Sequence, residues 1–117
     1  MRKIVYPLAA FALLLSACDE IDIEKETPDC IRQKAINLSR ETPCDEGAFV
    51  KEYLFQGRTV YVLSSGHCIA DGSDEVVDEN CNQLGYLGGF VGTTTINGES
   101  FAKAEFRRTI WQQATGG

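Results

Sequence analysis

Basic residues are in short supply, with 11 Lys and Arg against 17 Asp and Glu. Nucleic-acid phosphates need clustered cations, so this balance argues against DNA or RNA as a partner. It equally disfavours anionic lipid as a docking surface for the folded part. Histidine is scarcer still: His67 is the one copy, leaving a single imidazole for any acid–base work. No Cys-x2-Cys pair marks a zinc site, and no nucleophile elbow surrounds a serine. "GYLGG" lacks the Lys-Ser/Thr of a phosphate-binding loop. The apolar run Ile4 to Leu15 falls short of the about 20 residues that a membrane-spanning helix needs.

That run nevertheless carries information. Met1-Arg2-Lys3 makes a positive start, the apolar stretch follows, and Ser16-Ala17 supply small residues before Cys18. This is the layout of an export signal over residues 1–17. "LSAC", Leu15 to Cys18, resembles the lipobox of bacterial lipoproteins. The resemblance implies cleavage before Cys18 and covalent diacylglyceryl and acyl groups on that residue, with no other cofactor. One acyl chain anchors only marginally, whereas several on one residue hold a protein on a membrane. Loss of the leader leaves nine basic against 17 acidic residues, a net −8 that favours solubility.

Residues 19–29, "DEIDIEKETPD", hold six acidic residues. They read as an extended tether, so 18–29 is expected to be a lipidated stalk. A single domain is expected over 30–112, followed by a flexible tail at 113–117. In "CIRQKAINLSRE" apolar residues at 30, 31, 35 and 38 trace one side of a helix over 30–41. "AFVKEYLFQGRTVYVLSS" reads as a β-hairpin over 48–64 turning at Gly57, with Val50 and Leu54 on one face and Phe49, Tyr53 and Phe55 on the other. Short strands joined by turns are expected from Gly66 to Gly98. "SFAKAEFRRTIW" fits a helical face through Ala102, Phe106 and Ile110 slightly better than a strand. The fold class is therefore α+β: a small disulfide-stapled domain with a twisted antiparallel sheet and one packed N-terminal helix. Trp111 and most Tyr and Phe residues are expected in the core.

With Cys18 acylated, Cys30, Cys44, Cys68 and Cys81 form an even set, expected as two disulfides in an exported domain of this size. Closing adjacent loops favours Cys30–Cys44 and Cys68–Cys81. Weaker readings compete for the same region. His67, Cys68, Cys81 and Asp71 could ligate zinc, against the spacing. A Cys68–His67 pair, or Ser64 and Ser65 beside His67, could suggest catalysis, but turn residues need no such explanation. Asp71, Asp74 and Asp78, with Glu75 and Glu79, could attract calcium, although a solvated loop accounts for them.

The order "PDCI", "QGRTVYVL", "HCIADG", "DENCNQLGYLGG" and "RRTIW" resembles a group of small, uncharacterised Bacteroidota lipoproteins and secreted domains. That resemblance implies an exported single domain and carries over no catalytic residues. Acidic residues after the lipidated cysteine resemble the surface-export signal of the same group, so a location on the outer membrane, exposed at the surface, is expected. The leading expectation is a non-enzymatic binding or structural accessory module, anchored to the membrane and meeting an envelope or extracellular protein. The alternative is an inhibitor of a secreted hydrolase, presenting the 66–80 loop. A small hydrolase using Ser65 or His67 is the weakest reading.

Overall fold

The computed structural model describes residues 21–69 and 72–114. Cys18 and the leader, Asp71, and residues 115–117 of the expected tail lie outside the described residues.

Helix α1 spans Asp29–Glu41. Pro28 precedes it, with its carbonyl accepting from the Arg32 N–H, and Asp29 and Arg40 sit at the termini that favour their charges. Ile31 and Ala35 are fully buried and Leu38 is partly so, the i, i+4, i+7 stripe of a helix with one dry face.

The stripe packs on a five-stranded antiparallel sheet. Strands β1 (Phe49–Phe55), β2 (Arg58–Ser64), β3 (Ser73–Asp78) and β4 (Gln83–Gly88) form a meander. The sheet order is β4-β3-β2-β1-β7, with β7 (Glu105–Gln112) beside β1. Between β4 and β7 lie a two-stranded ribbon, β5 (Thr95–Ile96) and β6 (Glu99–Ser100), and a 3-10 turn at Phe101–Lys103. The α+β class is as expected, and so is the hairpin: Gln56 and Gly57 both take positive φ, as a tight two-residue turn requires.

Both sheet faces are covered, which explains why both faces of the hairpin are apolar. Val50, Tyr61, Leu63, Val77, Ile110 and Trp111 meet α1. Phe55, Val60, Val62 and Val76 meet Ile96 of the ribbon, flanked by Phe49, Tyr53 and Phe101. Tyr53 contacts Phe101 and Phe106 edge-on, with ring centroids 5.2 and 5.7 Å apart. The ribbon approaches so closely that a Cβ on Gly85 would lie 2.9 Å from Ile96 Cδ1. Gln56 latches the ribbon from outside, its Nε2 donating to Glu99 Oε1 at 3.0 Å.

Four expectations are corrected. The slight preference for a helix near 100–111 fails, because 105–112 is a strand. Its partner β1 shifts register between Val50/Lys51 and Glu52/Tyr53, so β7 carries extra residues there and its alternation is broken twice. The stalk is shorter than its charge suggests. Ile23 packs on the helix-side core, Glu24 N–H donates to Ile110 O at 2.9 Å, and Thr27 is buried. The tail's first residue, Gln113, is docked as well: its N–H donates to Ala48 O, and its side chain bonds Ala48 N–H and Cys44 O. Finally, Phe90, Phe106 and Tyr86 are exposed rather than in the core.

Candidate functional site

The four cysteines form two disulfides, and the favoured pairing is wrong. The bonds are Cys30–Cys81 and Cys44–Cys68, with Cα separations of 6.1 and 5.7 Å. Cys30 begins α1 and Cys44 follows its end, so the helix holds them about 20 Å apart, beyond disulfide reach. Strand β3 separates Cys68 from Cys81 in the same way. Each bond instead ties one end of α1 to the matching end of the sheet. Zinc and thiol chemistry at Cys68 and Cys81 thereby lose their sulfur donors.

The other candidates are dispersed. His67 lies 3.7 Å from Asp74 and is mostly exposed. Ser64 is fully buried, and its hydroxyl accepts from the Gly66 N–H, shaping the turn after β2. Ser65 uses its carbonyl to accept from Thr42 Oγ1 at 2.6 Å. Asp74 and Asp78 occupy opposite ends of β3, about 13 Å apart along a strand. Asp78 organises the β3–β4 turn, accepting from the Asn80 and Asn82 N–H groups at 2.9 Å. Burial alone would raise its carboxyl pKa, but the bonds from Asn82 and Asn80, with Arg58 nearby, outweigh that and lower it. Among the described residues no group of His, Cys, Asp and Glu is arranged to hold a metal. The 66–80 segment is not one loop either, since 73–78 forms β3.

What the fold does assemble is a surface along α1 and the loop end of the sheet. An open groove of about 350 Å³ runs between α1 and β3–β4, lined by Lys34, Asn37, Leu38, Glu41, Glu75 and Tyr86. Its polar groups are mutually engaged. Gln83 Nε2 donates to Glu75 Oε2 at 3.0 Å and to the Tyr86 hydroxyl at 2.7 Å, and Lys34 Nζ stands 3.9 Å from Glu75. Small-molecule sites enclose most of their ligand, whereas this groove is shallow and open, a shape suited to a macromolecular partner. Beyond it project Ile69, half exposed, and the Phe90–Val91 tip. No motif announced this surface; the long charge-free stretch 80–98 was its one visible trace.

A second polar cluster secures the opposite sheet edge. Arg108 Nε bonds Glu52 Oε1 at 3.0 Å, while its terminal nitrogens donate to the Lys25 and Glu26 carbonyls at 2.8 and 3.2 Å. The guanidinium thus clamps the N-terminal segment to β1 and β7. Tyr61, buried beside this clamp, has its hydroxyl pushed up to about 12, first by burial and then by the Glu52 carboxylate it hydrogen-bonds. An unfolded tyrosine titrates near 10, so this contribution is intact below about pH 10 and is lost as pH rises towards 12. Urea titrations between pH 8 and 12 should show that loss, and Tyr61→Phe should flatten it; an unchanged slope in Tyr61→Phe would exclude Tyr61 as its source.

Residues 37–113, well over half of the chain, match the family described as a domain of unknown function, DUF6970. The match takes in Cys44, Cys68 and Cys81 and begins after Cys30. No curated protein and no solved structure is similar enough to match. The chain belongs to the DUF6970 family.

Proposed function

We propose that this DUF6970 member is a lipid-anchored protein of the bacterial envelope whose domain binds a partner rather than catalysing a reaction. One observation carries the anchoring. Of five cysteines, four close into two disulfides, and the fifth, Cys18, is the one that ends "LSAC" behind an uncharged run. Two disulfides suit an oxidising compartment outside the cytosol. Triacylation of Cys18 then supplies the membrane affinity that the acidic domain lacks.

The binding role is supported by the form of the exposed surface. An open groove suits contact with another macromolecule better than turnover of an enclosed substrate. The acidic residues that remain ahead of the domain, Asp19 to Asp22, fit the surface-export expectation and a place on the outer membrane.

The intact mass of the chain purified from membranes tests the anchor. Loss of residues 1–17 together with a diacylglyceryl and an acyl group is expected, and Cys18→Ala should abolish both the acylation and the cleavage before residue 18. A cleaved chain without lipid would defeat the proposal. Cross-linking in cells tests the binding role, with a reproducible envelope protein captured through Lys34 as the expected outcome.

A further inference from the structure

We propose that the Phe90–Val91 tip rests in the lipid surface to which Cys18 is anchored, so that the loop end of the sheet faces the bilayer. This rests on the lipoprotein reading above and adds an orientation to it.

The first ground is the length of chain between anchor and domain. Ile23 already packs on the core, and the Glu24 N–H is bonded to Ile110 O. Cys18 stands five residues before Ile23, a reach of at most about 17 Å. The domain therefore cannot stand clear of an anchored Cys18.

The second ground is which end of the domain that short link leaves from. Glu24 lies against Ile110, and Lys25 and Glu26 against Arg108, so the segment runs antiparallel to β7. Ile21 and Asp22 are thereby directed towards Gln112. Register carries that position across the sheet: Gln112 pairs with Phe49, Phe49 with Ser64, and, past the β2–β3 loop, Ser73 with Gly88. The β4–β5 connection that bears Phe90 and Val91 starts at Gly88. The N-terminal exit and the tip thus lie at one end of the sheet, about 20 Å apart across its four strand spacings.

The third ground is the chemistry of the tip. Phe90 is 88% exposed and Val91 82%. They occupy the centre of a tight turn, in which Gly88 and Thr93 exchange hydrogen bonds at 2.7 and 3.0 Å and Gly92 N–H donates to Gly89 O. Gly89 N–H also donates to Gly72 O, bracing the turn against the β2–β3 loop. The two side chains are held outward on a braced loop with no charged residue between 80 and 98. A stable protein interface needs about 800 Å² on each partner, which two isolated side chains do not provide. A bilayer needs no matching shape: apolar side chains enter the headgroup–acyl boundary by burial alone. The acidic surface does not oppose this, because the tip itself is neutral.

The test uses the full chain, expressed in a bacterium that processes lipoproteins, with p-benzoylphenylalanine replacing Phe90. A control replaces Glu79, exposed in the β3–β4 turn at the far end of the sheet. After irradiation of cells, intact-mass measurement reads acylation and adducts on the same molecules. The expected result is an acylated chain with lipid adducts at position 90 and none at 79. An acylated chain cross-linked at 90 to protein, or to nothing, overturns the orientation while leaving the anchor in place. An unacylated chain overturns the anchor and this inference with it.

Discussion

Replacing Cys30 and Cys81 together by serine is expected to lower stability by about 2–5 kcal/mol, which for a domain of this size is a fall in Tm of roughly 10–30 °C. The bond spans 51 residues, against 24 for Cys44–Cys68. On chain-entropy grounds alone the longer loop is worth about 0.7 kcal/mol more. Position adds to length. Helix α1 buries only Ile31 and Ala35 completely, and Cys30–Cys81 is the covalent link between its first turn and the sheet. Without that link the N-terminal half of α1 is held to the sheet by the packing of Ile31 and Ala35. Thermal unfolding of the two double-serine variants, followed by circular dichroism, checks the order. Equal losses would mean that loop length and helix attachment are not what this bond supplies, and an unchanged Tm for Cys30→Ser/Cys81→Ser would sink the prediction.

Arg108→Ala should be the most damaging single change among the exposed or half-exposed charges, at about 2 kcal/mol. It removes one ion pair and two hydrogen bonds to backbone carbonyls at once, and it leaves Glu52 largely buried without its cation. Arg107 is the natural comparison. It stands 3.7 Å from Glu105, with both side chains well exposed, so Arg107→Ala should cost no more than about 0.5 kcal/mol. Lysine at 108 should recover little, because one ammonium cannot serve a carboxylate and two carbonyls in the fork geometry of a guanidinium. Hydrogen exchange supplies a local readout: in Arg108→Ala the Glu24 amide should lose its protection while β2 and β3 keep theirs. Uniform loss across the sheet would mean that Arg108 supports the whole fold rather than this segment.

The elements that the sequence displayed clearly were those with an unbroken period. Ile31, Ala35 and Leu38 keep helical spacing, and the 48–64 hairpin sets two Val-, Tyr- and Phe-rich runs in unshifted register around Gln56-Gly57, so each was legible. Strand β7 was not, for a physical reason. Its two register shifts place Arg108, Ile110 and Trp111 on the helix side and Phe106 on the other, and Phe106 to Ile110 then reads as a helical step. The disulfide pairing was within reach of the sequence. A helix over 30–41 already separates Cys30 from Cys44 by its own length, and applying that distance removes the adjacent-loop pairing. The docking of 23–27 was hidden, because it depends on Arg108 from the other end of the chain reaching carbonyls that any sequence would offer. The exposed tip was hidden too: composition cannot distinguish Phe90, fully out, from Phe55, fully in.

Strand β7 also sets the timetable of folding. Strand β1, second from the sheet edge, has its first neighbour at once, since β2 follows through a two-residue turn. Its second neighbour arrives only with Gln112 opposite Phe49, and Glu24 waits still longer for Ile110. Contacts this distant along the chain form late, after the cost of closing long loops has been met. Until the last strand has been delivered, β1 therefore presents an unpaired edge and the N-terminal segment has nothing to lie against. On the lipid-anchored reading proposed above, a chain exported with its N-terminus leading would be held at the membrane before it could finish its sheet, and maturation would end, rather than begin, with the seating of its first ordered residues.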